Sequence, residues 1–253
     1  MNEKIKNVIN KFLSNYMDDD NFLGAILTGS YATGNNNPNS DVDLFIITDS
    51  STTWRERGNE LVDGYMVEYF INPVRQVMKE LKESIVKNEM ATVMMFKNSK
   101  ILYDKTGIVN DLVNLANEKF KQDIENVSSY QYQMNCYSVW NAFDELDSKY
   151  NSNGDIDYAY YIFLDNTIKA YFQNNRIPML PTSKIERLLM DKEYRKRYNV
   201  KEMPDQEFID KLINCFKEKD YQKKYLYAKE LYNYFMSKSN NFDINHFSYR
   251  SNI

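Results

Sequence analysis

The sequence has very little histidine and cysteine, and this scarcity excludes several kinds of active site. Its 253 residues include one histidine, His246, and two cysteines, Cys136 and Cys215. A single histidine cannot build a histidine-rich zinc site, a histidine-dependent phosphohydrolase, or a helical ribonuclease that requires an arginine-to-histidine motif. The cysteines are far apart and lie in helix-like apolar patterns without nearby cysteine or histidine. We therefore expect two free, buried thiols.

Long hydrophobic runs are also missing. No apolar run approaches the roughly eighteen residues that a membrane span requires, and residues 1–17 lack the apolar core of a signal peptide. We therefore expect a cytoplasmic protein with no membrane partner. Glycine is scarce, with 7 residues, in a chain rich in asparagine and lysine, a composition typical of AT-rich bacterial genomes.

The sequence has no excess of positive charge. The net charge is −4 and the isoelectric point is near 5.3. An extended nucleic-acid-binding surface normally needs a concentrated basic face, so this balance argues against one. Lysines are frequent, however, and a local basic patch remains open. Nucleic acid is therefore a disfavoured partner that is not excluded.

The most informative segment lies between residues 22 and 48. Two apolar blocks, Phe22–Leu27 and Leu44–Ile47, have the length and β-branched content of buried strands, and the stretch between them, rich in glycine, asparagine and proline, predicts a loop. Alternate residues of a strand share a face, so Asp41 and Asp43 are expected to project side by side. Two such carboxylates repel each other unless a cation lies between them. Mg²⁺ fits this need because it takes hard oxygen ligands and shares them with substrate phosphates.

The pair Gly29-Ser30, at the end of the first block, supplies what the phosphates of a nucleotide need. A glycine lets backbone N–H groups approach closely, and a serine adds a hydroxyl donor. An Asp-x-Asp sequence alone is more often a solvated strand end or a turn than a metal site. Its combination with Gly29-Ser30 in a strand–loop–strand context favours a site that binds both metal and phosphate.

Gly29-Ser30 followed by Asp41-Val42-Asp43-Leu44 resembles the signature of the polymerase-beta-type nucleotidyltransferase superfamily, over about the first hundred residues. The resemblance implies a third carboxylate on a later strand, flanked by apolar residues. Glu68, within the run Gly64–Ile71, is in that setting. Asp63 is the alternative, although it precedes Gly64 in what is predicted to be a turn.

What the resemblance further implies is a transfer reaction assisted by two Mg²⁺ ions. Asp41 and Asp43 would hold the nucleotide-bound Mg²⁺, and Glu68 would bind the second metal, act as general base on the acceptor hydroxyl, or do both. The donor nucleotide would be ATP, the usual substrate of the superfamily.

Three further residues are candidates for binding the triphosphate. Ser30 would hold the β or γ phosphate. Ser40 would be a second hydroxyl donor, as in antibiotic-modifying members of the superfamily, or else a simple turn residue after Pro38. The segment 174–184 resembles one in which a helix ends, prolines follow and a lysine opens the next helix. Lys184 would then neutralise phosphate charge, or else be a surface lysine in the first turn of a helix.

The pattern of elements changes near residue 106 and predicts an α+β protein. Residues 1–106, with helices over 4–17 and 74–86 and a short strand over 100–104, form the predicted nucleotidyltransferase domain, a small mixed sheet with flanking helices. Residues 107–253 contain almost no strand signal and form a predicted helical domain that binds the acceptor. A cleft between the domains is the expected acceptor site.

Among the branches of the superfamily, the sequence is most similar in pattern to aminoglycoside and lincosamide nucleotidyltransferases. This implies transfer of AMP from ATP to a hydroxyl of a small molecule, such as one of these antibiotics. Two alternatives remain at this stage: a nucleotidyltransferase that modifies a protein or tRNA, and a non-catalytic nucleotide-binding module. The sequence does not fix the oligomeric state, and a homodimer remains open.

Overall fold

A computed structural model describes residues 2–179, 182–197, 200, 203–240 and 242–250. The chain divides into two compact units, the first formed by residues 1–123 and 196–200, and the second by residues 124–195 and 201–253. The predicted α+β class is confirmed, with a mixed sheet in the N-terminal part and helices in the C-terminal part. No helix among the described residues is both long and apolar enough to cross a membrane.

A five-stranded mixed sheet forms the centre of the first unit. Its strands are β1 (Phe22–Thr28), β2 (Val42–Thr48), β3 (Glu56–Val62), β4 (Tyr65–Pro73) and β5 (Lys100–Asp104), in the order β3-β4-β2-β1-β5. Strands β2 and β4 pair in parallel, and the other neighbours are antiparallel. The structure confirms the predicted strands β1, β2, β4 and β5. Strand β3 was not predicted, because it is polar and mostly exposed.

Five helices accompany this sheet, and two of them correct the sequence interpretation. They are α1 (Glu3–Leu13), α2 (Gly29–Thr33), α3 (Val74–Lys87), α4 (Ala91–Lys97) and α5 (Ile108–Lys121). The helix predicted over 4–17 ends at Leu13, where the hydroxyl of Ser14 donates to the Lys11 carbonyl at 2.7 Å and competes with helical hydrogen bonding. Helix α2 forms the first part of the segment that was predicted to be a loop.

The two faces of β2 differ in what they contact. Val42, Leu44 and Ile46 belong to the buried cluster that α1 forms with one face of the sheet. The alternate residues Asp43 and Phe45 therefore face the other side. There the Phe45 ring contacts Phe96 of α4, edge to face, with ring centres 5.1 Å apart. Asp43 thus lies at the N-terminal end of a strand face whose remainder is packed against helices.

The remaining helices are α6 (Ser129–Asn151), α7 (Asp157–Asn174), α8 (Thr182–Met190), α9 (Lys192–Arg197), α10 (Gln206–Lys217) and α11 (Tyr221–Ser237). No strand occurs after Asp104 in the described part of the chain. The Tyr160 hydroxyl donates to the Cys215 carbonyl at 2.9 Å and ties α7 to α10. Cys136 and Cys215 are both buried and free, as predicted.

The compact units divide at Asp123, after α5, and not at residue 106. Helix α5 contacts strands β1 and β5 and helices α3 and α4, so it belongs with the sheet. The assignment of residues 107–253 to acceptor binding stays a prediction. Within the segment 174–184, Leu180 and Pro181 lie outside the described residues.

Candidate active site

Two of the three predicted carboxylates lie side by side on the sheet. Asp43 of β2 and Glu68 of β4 are directly paired in parallel register. Thr28 of β1 is paired with Asp43 on its other side, and Asn59 of β3 is paired with Glu68. Residues in register on neighbouring strands present their side chains to the same face. Four strands therefore carry a polar row with the two carboxylates at its centre.

Gly29 lies directly against the carboxylate of Asp43. Its backbone has φ of +64°, a left-handed conformation that favours glycine. A Cβ atom at this position would lie 1.9 Å from Asp43 Oδ2, far inside any real contact distance. Glycine is therefore required here for two separate reasons, its backbone conformation and the space that Asp43 occupies. The sequence interpretation attributed Gly29 to phosphate binding alone, and the contact with Asp43 was not anticipated.

Asp41 is placed differently from Asp43. Strand β2 begins at Val42, so Asp41 precedes the strand and is exposed, whereas Asp43 is half-buried. Within the described ranges, no three acidic, histidine or cysteine side chains form a group that could hold a metal ion. The structure thus brings Asp43 and Glu68 together and does not gather Asp41 with them. Mg²⁺ in proteins is commonly held by one or two carboxylates together with substrate phosphates and water, and the oxygen donors present here fit that mode.

Glu68 is partly buried and carries an ion pair. Arg57 Nη2 of β3 lies 2.5 Å from Glu68 Oε1, with the Glu68 side chain 23% exposed and the Arg57 side chain 69% exposed. The guanidinium carbon of Arg57 also lies 4.8 Å from the centre of the Phe70 ring. Arg57 is paired in register with Phe70, so it reaches Glu68 along the diagonal of the β3–β4 hairpin.

Asp63, the alternative to Glu68, lies in a hairpin turn. Asp63 and Gly64 join β3 to β4 and have φ of +49° and +83°, as in a two-residue hairpin loop with the twist that adjacent strands favour. The Asp63 carboxylate accepts from Lys11 Nζ of α1 at 2.6 Å. Asp63 is therefore placed in a turn and not in the polar row that contains Asp43.

The two candidate serines lie at opposite ends of the connection between β1 and β2. Ser30 is in α2, where its carbonyl accepts from the Asn35 backbone N–H at 2.9 Å. In the described part of the chain its hydroxyl has no hydrogen-bond partner. Ser40 Oγ accepts from the Asn37 backbone N–H at 2.9 Å, so Ser40 does close a turn. A hydroxyl that accepts one hydrogen bond still has its own proton to donate, and a phosphate contact by Ser40 remains compatible with this turn.

Lys184 lies in the first turn of α8, within the second compact unit, and is half-buried. Its proposed contact with the triphosphate stays a prediction.

Arg57 is the residue of this site that the sequence analysis missed. The stretch Glu56–Val62 has the burial pattern of an exposed edge strand and lacks an apolar run. The signal that could have identified it is the Asp63-Gly64 dipeptide, because Asp-Gly before a strand favours a hairpin and therefore predicts a preceding partner strand.

Comparisons with known proteins place the chain beside proteins of known sequence or structure. Residues 7–106, which extend from α1 past the end of β5, match the protein family described as nucleotidyltransferase domain. Among solved structures, the chain is similar to a nucleotidyltransferase-like protein from Exiguobacterium sibiricum 255-15, with 11% identity and a TM-score of 0.46, covering 92% of this chain and 74% of that chain. Among curated proteins, none matches this chain.

Proposed function

We propose that the protein transfers AMP from ATP to a hydroxyl of a small-molecule acceptor, because residues 7–106 match the family described as nucleotidyltransferase domain. The observation that carries this proposal is the pairing of Asp43 with Glu68 in register, with Gly29 packed against Asp43. Two adjacent carboxylates beside a glycine turn form an arrangement suited to a cation-bound triphosphate. An ordinary solvated strand end would need neither the pairing nor the glycine.

In the proposed reaction, the acceptor oxygen attacks the α-phosphorus of the nucleotide. The bond between the acceptor oxygen and the α-phosphorus forms as the bond between the α-phosphorus and the bridging oxygen of pyrophosphate breaks. Glu68 accepts the proton of the acceptor hydroxyl. Bound Mg²⁺ would neutralise charge on the triphosphate and on the departing pyrophosphate, held by Asp41, Asp43 and, for a second ion, Glu68.

The remaining candidate residues bind and orient the triphosphate. Ser30 and Ser40 each have a hydroxyl proton to donate to phosphate oxygens. Gly29 allows the chain to turn within contact distance of Asp43, which brings the start of α2 next to the metal-binding carboxylate. Lys184 would supply a positive charge to the triphosphate. Since this chemistry consists mainly of positioning and charge neutralisation, misplacement of any of these groups should lower the rate steeply.

The acceptor class rests on the sequence resemblance alone, as does the choice of ATP as the donor. Aminoglycosides and lincosamides are hydroxylated small molecules, and modification of either would make this a resistance enzyme. The helical second unit, rich in tyrosine, would provide the acceptor surface. The protein is proposed to act in the cytoplasm, where ATP is available.

The experiment that tests this function measures pyrophosphate release with Mg²⁺. Each of the four ribonucleoside triphosphates is combined with aminoglycosides, lincosamides, bulk tRNA and a bacterial lysate, and Asp43→Asn protein is the control. We expect release that requires ATP and one small hydroxylated compound and that disappears with Asp43→Asn. Release with tRNA or lysate alone would instead identify a macromolecular acceptor. Nucleotide binding without release under any condition would contradict catalysis.

A further inference from the structure

Arg57 contacts a carboxylate that the proposed function assigns to metal binding. Its guanidinium donates to Glu68 Oε1 at 2.5 Å. The Glu68 carboxylate has lone pairs for more than one partner, but two positive charges next to one carboxylate repel each other. Metal binding to Glu68 and the Arg57–Glu68 ion pair therefore compete through this charge repulsion.

The neighbours of Glu68 explain why a positive charge beside it is favourable, whether Arg57 or a metal ion provides that charge. Glu68 is adjacent in register to Asp43, and neighbouring carboxylates on one face of a sheet destabilise each other. The guanidinium offsets part of this repulsion. The guanidinium carbon of Arg57 lies 4.8 Å from the centre of the Phe70 ring. A planar guanidinium is favoured in such a cation–π contact.

The pair is also weak enough to be displaced. The Arg57 side chain is 69% exposed, and exposed ion pairs contribute little because water screens them. Strand β3 is at the edge of the sheet, so the Arg57 side chain has solvent into which it can move. A divalent cation at Glu68 would carry two positive charges where the Arg57 guanidinium carries one.

We propose that Arg57 is a positioning residue that competes with the divalent cation for Glu68, so that metal loading and release of Arg57 are coupled. Arg57 would hold the Glu68 carboxylate in the polar row until the cation takes its place. This inference rests on the proposed metal-dependent transfer, because it assumes that Glu68 is a metal ligand.

The test is a titration of the full-length protein with Mn²⁺ in the absence of nucleotide, followed by electron paramagnetic resonance of free Mn²⁺. Since an exposed pair contributes roughly 0.2–1 kcal/mol, its loss in Arg57→Gln should tighten Mn²⁺ binding by about 1.4-fold to fivefold. Arg57→Lys, which keeps the charge and loses the planar fork, should fall between Arg57→Gln and the wild type.

The matched control is Lys11→Gln, which removes one positive charge from another exposed ion pair. In that pair, Lys11 of α1 lies 2.6 Å from Asp63 in the turn of the same hairpin. Lys11→Gln should leave Mn²⁺ binding unchanged. In a Glu68→Gln background, Arg57→Gln should have no effect, because the residue for which the two cations compete is gone. Circular dichroism melting curves confirm that each variant is folded.

Unchanged or weaker Mn²⁺ binding by Arg57→Gln and Arg57→Lys would overturn the inference. Tightening of Mn²⁺ binding by Lys11→Gln to the same extent as by Arg57→Gln would also overturn it, as would no measurable Mn²⁺ binding by the wild type. The proposed function is judged separately by pyrophosphate release. Coupled Mn²⁺ binding without pyrophosphate release would refute the transfer reaction and leave the competition established. Pyrophosphate release without any effect of the Arg57 variants on Mn²⁺ binding would support the transfer reaction and refute the competition.

Discussion

Gly29 and Asp43 are packed so closely that no other residue fits at Gly29 without moving the carboxylate, since a Cβ there would lie 1.9 Å from Asp43 Oδ2. This contact joins the turn after β1 to the paired carboxylates of β2 and β4. The turn after β1 and strand β2 therefore form one structural unit, and a change in the turn should move the Asp43 carboxylate.

Gly29→Ala should abolish pyrophosphate release, because the added methyl group displaces the Asp43 carboxylate. The left-handed backbone adds a cost of roughly 1–2 kcal/mol to the stability of the fold. Gly34→Ala is the matched control, because Gly34 also has positive φ, +74°, and nothing within 4 Å of a Cβ. Gly34→Ala should lower the free energy of unfolding measured in a urea unfolding curve and should keep its pyrophosphate-release activity. Equal loss of activity in both variants would show that backbone strain, and not contact with Asp43, is responsible.

Glu68→Gln should reduce turnover by about 10²- to 10⁴-fold if Glu68 is the general base. Asp63→Asn should change turnover by less than about twofold, because Asp63 lies in the hairpin turn. Steady-state pyrophosphate release measures both. Loss of activity in Asp63→Asn with an active Glu68→Gln would assign the third carboxylate to the turn.

Asp43→Asn should reduce turnover by more than about a hundredfold, since even the residues that only orient metal ligands contribute 10–100-fold. The protein should stay folded, because removing one of two adjacent negative charges relieves repulsion. Pyrophosphate release and a thermal melt test these two parts. A variant that unfolds, or one that keeps full activity, would show that Asp43 is structural.

Lys184→Gln should lower kcat/KM for ATP by about tenfold to a hundredfold, the range expected for loss of a hydrogen bond to a charged group. Lys192→Gln, at an exposed lysine of the neighbouring helix α9, should have no effect. Initial rates at varied ATP measure the difference. Equal rates for Lys184→Gln and the wild type would remove Lys184 from the phosphate site.

Both cysteines should be unreactive in the folded protein. Burial raises the pKa of the Cys136 thiol and raises that of Cys215 to about 12. The thiolate is the reactive form, and a raised pKa lowers the fraction of thiolate at pH 8. Titration with a chromogenic disulfide should give no reaction under native conditions and two thiols per chain in denaturant. Rapid native labelling at pH 8 would contradict the buried placement.

The sequence predicted best the elements with a strong apolar pattern. Strands β1, β2, β4 and β5 and the long helices have buried residues at the spacing of their secondary structure, and burial decides their conformation. Strand β3 has no such pattern, because it lies at the edge of the sheet and is held by pairing with β4. Its existence depends on a partner that only the folded chain supplies.

The candidate site was predictable as a set of residues, but its geometry was not. The spacing of Asp41 and Asp43 predicted two carboxylates side by side, whereas the structure starts β2 at Val42 and pairs Asp43 with Glu68. Local periodicity describes neighbours along a strand. Contacts such as those of Arg57 with Glu68 and of Gly29 with Asp43 depend on strand order and register, which single-strand patterns do not contain.

The most direct test of the central claim follows the fate of the ATP phosphates with the acceptor identified by the pyrophosphate panel. The protein is incubated with ATP labelled at either the α or the γ phosphate, and the acceptor is isolated. Nucleotidyl transfer predicts that the α label appears on the acceptor and the γ label in pyrophosphate, and that Asp43→Asn gives neither. Transfer of the γ label to the acceptor would show a phosphotransferase and contradict the account.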